Sequence, residues 1–401
     1  MTAPVRVVAD PDEALSAAAG LARAFRAGAA ERDAGRLPPH EELEELSASG
    51  LLGITVPAEH GGADVTAQTL AEVFRLLATG DASLAQIPQS HFAYVNVLRR
   101  QGSPAQQRFF FAEILAGRRL GNAQSERGTK HVQDLRTRLE PDPAGGSGGF
   151  ILTGVKHYST GALFAHWIPV LARAAHADGA LYVAFVPRDA PGLTVDDDWD
   201  GMGQRTTASG TVHLDRVKVP ANRVVPHHLT FEGPQLHGAV AQLLHAAIDA
   251  GIAAGALGEA AEFVRTKSRP WFESGLESAA EDPLLIQRFG ELSLQVRAAE
   301  ALLSVAARTV DAAQADLTDD SAAEASLAVA AAKVQAGEAA VQTGSALFEV
   351  AGTRAAVDSL NLHRHWRDAR THTLHDPARW KIQHIGRHVV NGTRPPRHGL
   401  L

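Results

Sequence analysis

The stretch WRDARTHTLHDP, Trp366 to Pro377, places two histidines and a carboxylate after a run with helical spacing. His372 and His375 are three apart, so a helical turn would set both on one face, with Asp376 one step further round. Imidazoles titrate near neutrality and can hold or hand over protons, which makes His375 the first candidate for acid–base work. His91, in PQSHFAYV, opens a helix-like run with apolar neighbours and is the second candidate. For His91 and His372 a satisfied core histidine is the alternative reading. The 19 histidines, with His363, His365, His372, His375, His384 and His388 close together, also raise the question of a metal. Pairs of histidines supply only two nitrogens, no ExxH pattern provides a di-metal carboxylate set, and there is no cysteine, so no metal is expected.

These groups need a scaffold, and 401 residues allow two or three domains. The 38 basic and 45 acidic residues leave a net charge of −7, which provides no basic field for nucleic acid. Without cysteine there is no disulfide framework. The N-terminal MTAPVRVVADPDEALSAAAGLARAF has no apolar core of signal-peptide type, so a cytoplasmic location is expected. The window Gly238 to Gly258 is apolar but carries Gln242, His245 and Asp249, which predicts a buried bundle helix and no membrane span.

Three textures follow one another. Up to about residue 118 the apolar spacing predicts helices over Asp12–Arg32, Pro39–Ser49, Thr66–Leu77 and Ala105–Ala116. Residues 119–228 carry short β-branched runs, FILTGVKHY, HWIPVLARA, LYVAFVPR and GTVHLDRVKV, bounded by turn residues, which predicts a small β domain. PAGGSGG before Phe150 lies between two such runs and has no helix after it, so it reads as a hairpin loop and not as a phosphate cradle. From 229 to 401 the helical period returns in Val240–Thr266, Pro283–Ala313 and Ser321–Ala351, whose interspersed Ala and Gly suit an antiparallel bundle. No GxGxxG follows a strand and no P-loop occurs, so reducing equivalents are expected from outside.

This order resembles the acyl-CoA dehydrogenase superfamily, and so do the segments GNAQSERGTKHV, LTGVKHYSTGA, APGLTV and LDRVKVPANRVV, along nearly the whole chain. The implied fold is α+β and mainly α: an N-terminal helical domain, a middle β-barrel domain and a C-terminal four-helix bundle. Where the dehydrogenases carry a catalytic glutamate in a Tyr-Glu-Gly core, this chain has His375, Asp376 and Pro377. A short Asp locked by proline is poorly suited to reach a thioester α-carbon. With RTKSRPW, SAAEDPLLIQRFGE, FEVAGTR and DDWDGMGQRTTASG, the chain is similar to the flavin-dependent monooxygenase branch, and within it to the sulfur-acquisition and dibenzothiophene-oxidising types. The alternatives are an FAD oxidoreductase of dehydrogenase type and a non-catalytic helical bundle.

The resemblance implies a two-component enzyme. A separate NAD(P)H:flavin reductase supplies reduced FMN, with FAD the less favoured flavin, and O2 is activated at flavin C4a to oxygenate a small organosulfur substrate. It places Asn122, Ala123, Gln124, Ser125, Glu126 and Arg127, with Lys156, His157, Tyr158, Ser159 and Thr160, around the isoalloxazine. The Thr160 hydroxyl would meet flavin N5 or the peroxide, or else bond only its own backbone. Arg269, reaching across a subunit interface, and Arg354 beside Thr353 would hold the phosphate. His375 would tune the hydroperoxide, with His91 in second place, and Asp376 would orient. The family implies a homotetramer.

Overall fold

Caps and prolines mark where the helices start. In the computed structural model, which describes residues 5–143 and 148–401, α1 (Pro11–Gly35) begins where Asp10 accepts the Glu13 amide and Pro11 takes the first helical position. Helices α2 (His40–Ala48), α3 (Ala67–Gly80), α4 (Ala82–Gln86), α5 (Gln89–Gln101) and α6 (Pro104–Leu115) complete the N-terminal part. Helix α6 opens with a reciprocal capping box between Ser103 and Gln106. The predicted helices there are present with shifted ends. The short α4 was not foreseen, because five residues are too few to show a period.

The middle of the chain forms one seven-stranded sheet of order β5-β6-β2-β1-β3-β4-β7. Its strands are β1 (Arg138–Pro141), β2 (Phe150–Lys156), β3 (Trp167–Ala174), β4 (Leu181–Pro187), β5 (Leu193–Asp196), β6 (Thr211–Val219) and β7 (Val224–Val225). Among the described residues these strands pair antiparallel except β1 with β3, and two isolated bridges, Leu120 with Trp167 and Ala123 with Val170, are also parallel. Among the described residues the ladder runs from β5 to β7, and it forms the middle β domain that the resemblance implies. Strands β1 and β2 pair as a hairpin, and Asp142 donates its amide to the Gly149 carbonyl at 2.9 Å. Residues 144–147 of the glycine-rich connection lie outside the described residues.

The C-terminal part holds α7 (His237–Thr266), α8 (Pro283–Ala315), α9 (Asp319–Ala351), α10 (Arg364–His372) and α11 (Ala378–Asn391). Helix α7 is the central rod, and its most apolar 18-residue window is 83 % buried among its neighbours. Small residues set the spacing. A Cβ on Gly251 would lie 2.3 Å from the Arg75 carbonyl oxygen of α3, and one on Gly344 of α9 would lie 3.0 Å from the Trp366 backbone at the start of α10. The second approach matters most here, because it lays α10 and the following turn, which carries His375, against α7 and α9.

Candidate active site

Helix α10 ends at His372, and the chain then turns, with the His375 amide donating to the His372 carbonyl at 3.1 Å. His372 and His375 therefore do not share a helical face, which corrects the expectation from their spacing. A third histidine brings them together. His245 of α7 stands with its ring centroid 5.1 Å from that of His372 and 4.1 Å from that of His375.

Behind His375 lies a buried polar and ionic lattice that links five helices, α4, α7, α9, α10 and α11, and the turn after α10. His372 Nδ1 is 2.6 Å from Asp249 Oδ1, and its Nε2 is 3.0 Å from both Gln86 Oε1 and His245 Nδ1. Lys333 of α9 stands 3.5 Å from Asp376 Oδ1 and 4.0 Å from Asp249 Oδ2, and Lys381 of α11 bonds the other Asp376 oxygen. Asp249, Lys333, Asp376 and Lys381 are each at most 5 % exposed, so the charges are compensated by one another and not by water. Burial alone would raise the Asp376 carboxyl, but the His375 contact and the two ammonium groups hold it well below the usual carboxylate range.

His375 faces both ways. Its Nδ1 is 3.4 Å from Asp376 Oδ1, while 41 % of its side chain remains accessible. Burial lowers its pKa, with Asp376 opposing this and Lys333 adding to it. A neutral ring with its proton on Nδ1 leaves the Nε2 lone pair for a visitor. His91 is placed differently: its Nε2 is 2.9 Å from the Leu52 carbonyl, and its Nδ1 accepts the Leu120 amide at 3.1 Å. Both nitrogens are occupied and the ring is 1 % exposed; burial pushes its pKa down to about 4. This corrects the proton-handling expectation for His91, which instead fixes the chain two residues before Asn122.

The middle domain contributes three facing segments. In the loop 122–127, the Ala123 carbonyl accepts the Leu171 amide, the Gln124 carbonyl accepts Lys156 Nζ, and the Ser125 carbonyl accepts the His157 amide. Glu126 takes Lys156 Nζ at 2.8 Å together with the Thr137 hydroxyl and the Arg136 and Thr137 amides. Burial would raise this carboxyl, but those donors outweigh it and hold it at about 2, while burial lowers Lys156 to about 8 despite its partner. Lys156, Glu126 and the Ala123 side chain thus shape the loop instead of presenting groups to a ligand. The segment 157–160 follows β2, with Tyr158 in the left-handed region at φ +56° and Arg127 4.8 Å over its ring. His157 Nδ1 bonds the Thr211 hydroxyl at 3.1 Å. The third segment, 204–210, meets Thr160 through a 2.8 Å bond to Ser209 Oγ.

Two contacts join this cluster to the bundle. A Cβ on Gly161 would lie 3.2 Å from Ile87, the neighbour of Gln86, and Asp368 of α10 accepts the Gln204 amide at 2.6 Å. Burial, reinforced by Asp33, pushes Asp368 up to about 7. Thr160 and His375 therefore belong to one neighbourhood. Several buried polar atoms there lack a protein partner: Asn122 Oδ1, Ser159 Oγ and both amide atoms of Gln204. Such a surplus of donors and acceptors suits the polar edge of a flavin, so the residues present fit the expected cofactor.

Arg269 and Arg354 stand elsewhere. Both are exposed at the far ends of α7 and α9, where Arg354 donates to the Lys267 carbonyl and Ser268 Oγ bonds Ala351. Gly352, at φ +75°, turns the chain there, with exposed Thr353 after it. From His245 to Thr266 the axis of α7 runs about 30 Å at 1.5 Å per residue. Gln86, Lys333, Asp368, Thr207 and Ser209 carry no signal of this role in the sequence, and His245 and Asp249 stand out there only as polar breaks in an apolar window. Polar residues four apart in an Ala-rich helix, as His245 and Asp249 are, were the available signal.

Family profiles match in sequence order: acyl-CoA dehydrogenase N-terminal domain over 15–118, middle domain over 123–217 and C-terminal domain over 243–380. Dibenzothiophene monooxygenase of Rhodococcus erythropolis is 35 % identical, over 97 % of this chain and 96 % of that one. A probable FMNH2-dependent monooxygenase, SfnC, of Pseudomonas putida is 33 % identical over 98 % of each. The crystal structure of FMN-bound TdsC from Paenibacillus sp. A11-2 superposes with a TM-score of 0.91 at 33 % identity, covering 97 % of this chain and all of that one.

Proposed function

The chain belongs to the acyl-CoA dehydrogenase family, and from that premise we propose that it is an FMN-dependent monooxygenase acting on an organosulfur compound of the sulfide, sulfoxide or sulfone type in sulfur acquisition. One observation carries the choice against a dehydrogenase. The only carboxylate at the turn after α10, Asp376, is buried and clamped between Lys333 and Lys381, so it cannot swing out to abstract a substrate proton. What faces outward is the His375 imidazole.

Reduced FMN, when bound, would supply the activation of dioxygen, one atom of which enters the product, on sulfur for a sulfide or sulfoxide and on carbon for a sulfone, whose sulfur has no lone pair left, while the other leaves as water. The chain's residues do the rest. Thr160, whose hydroxyl is held by Ser209, would meet flavin N5, and Asn122 Oδ1 and Ser159 Oγ, which have no protein partner, would serve the pyrimidine edge. His375 Nε2 takes and returns the proton that the oxygen transfer requires, and Asp376 keeps its Nδ1 protonated and its ring oriented. The lattice behind His375 excludes water from that side. His91 anchors the loop beside Leu120 as a positioning residue.

A five-carbon ribityl arm cannot bridge the separation between His375 and Arg269. Arg269 therefore serves the phosphate of another copy, and the working form is an oligomer, which we take to be a tetramer. Electrons arrive on flavin reduced by a separate NAD(P)H:flavin reductase, since the chain has no nicotinamide fingerprint. The test supplies reduced FMN, a panel of aryl and alkyl sulfides and isotopically heavy oxygen gas. One heavy atom in the product is expected, and label drawn only from water would reject the reading.

A further inference from the structure

We propose that Thr207 and Ser209 are positioning residues that make the site bind reduced FMN more tightly than oxidised FMN, acting through the Thr160 hydroxyl. This rests on the reading above that Thr160 meets flavin N5. The difference between the two redox forms at that atom is chemical: N5 carries a hydrogen in the reduced flavin and a bare lone pair in the oxidised one.

Thr160 Oγ1 is 2.8 Å from Ser209 Oγ, Ser209 Oγ is 2.7 Å from Thr207 Oγ1, and Thr207 Oγ1 is 3.0 Å from the Gln204 carbonyl oxygen. The chain ends on a group that can only accept. Thr207 is fully buried and Ser209 is 7 % exposed, so water offers these hydroxyls little alternative. The loop is held in place by the Ser159 amide on Gly210 at 3.0 Å and the Gly161 amide on Thr207 at 3.2 Å. Gln204 and Ala208 adopt left-handed backbone at φ +53° and +44°, a strained geometry that persists only where the surroundings impose it.

Each hydroxyl has one proton, so the chain has two directions. In the first, Thr160 donates to Ser209, Ser209 to Thr207 and Thr207 to the Gln204 carbonyl, which leaves a Thr160 lone pair for an N5 hydrogen. In the second, Thr207 donates to Ser209, Ser209 to Thr160 and Thr160 to a bare N5, and the bond to Gln204 is lost. Reduced flavin thus keeps one more hydrogen bond than oxidised flavin. A net neutral hydrogen bond corresponds to about a two- to tenfold preference.

The test is anaerobic titration of the full-length protein with oxidised FMN and with FMN held reduced, together with the midpoint potential of the bound flavin. Thr207→Val keeps the shape but removes the acceptor-bound end, after which both flavin forms retain the same number of bonds. The ratio of the two dissociation constants is expected to fall two- to tenfold, which at about 30 mV per tenfold change for two electrons lowers the potential by about 10–30 mV. Ser209→Ala should give the same loss, and Thr207→Ser, which restores the hydroxyl, should recover the wild-type ratio. Equal ratios in wild type, Thr207→Val and Ser209→Ala would overturn the inference while leaving the functional reading intact. Failure of the wild type to bind FMN in either form would remove both.

Discussion

At the scale of single residues, His375 is the one ring of the three in its cluster that reaches solvent, with His245 and His372 buried, and the consequence is testable without disturbing the cofactor. His375→Ala is expected to leave FMN affinity within a few fold while diverting turnover to hydrogen peroxide, read as the ratio of peroxide to oxygenated product. Unchanged coupling would take His375 out of the proton path. Arg269→Ala should weaken FMN binding by roughly 1.5–3 kcal/mol through loss of a charge-assisted bond, measured by fluorescence titration. The segment Trp366–Pro377 announced itself in sequence because histidines and a carboxylate crowd it. Their partners did not. Lys156 and Glu126 are 30 positions apart, and nothing in one sequence says that they neutralise each other. His91 looked like a candidate because its neighbours are apolar, and those same surroundings turn out to hand both its nitrogens to backbone groups.

At the scale of elements, α10 is the hinge between the two halves of the site, since Asp368 grips the Gln204 amide and Arg367 donates to the Met202 carbonyl at 2.7 Å. Asp368 is held up at about 7 by burial, against an ordinary value of 3.8. A raised carboxyl favours the fold in its protonated form, so that contribution is complete below pH 3.8 and is lost as pH rises through 7. Asp368→Asn keeps an acceptor for the Gln204 amide but carries no charge. It should match the wild type at low pH and exceed it at pH 8 by up to roughly 4 kcal/mol, by denaturant unfolding. A variant no more stable than wild type at pH 8 would show that Asp368 is not a buried burden there. The long bundle helices were readable from their period, whereas the end of α10 was not. Pro377 forbids the helix from running on through it, but the exact end at His372 is set by the packing of the turn against Lys333 and Lys381.

At the scale of the whole molecule, histidine burial sets the response to acid. His91, His166 and His237 are pushed down to about 4 and His227 to about 3, in each case first by burial. These rings fold neutral, so the stability they confer is complete above the ordinary 6.5 and disappears as pH falls toward 4. One fully buried ring such as His91 counts for about 3 kcal/mol against a total of roughly 5–15 kcal/mol. His91 and His227 are buried and His166 and His237 partly so, and together they outweigh the opposite slope of Asp368. Thermal midpoints should climb steeply from pH 4 to 6.5 and then level off; a flat profile across that range would contradict the burial. The length of α7 has another consequence, one of mass action. If a flavin resting on the His375 of one copy is held by the Arg269 of another, an isolated chain owns two half-sites and no whole one. Rate per chain should then rise with protein concentration and saturate once assembly is complete, and diluted enzyme should regain its full rate on reconcentration.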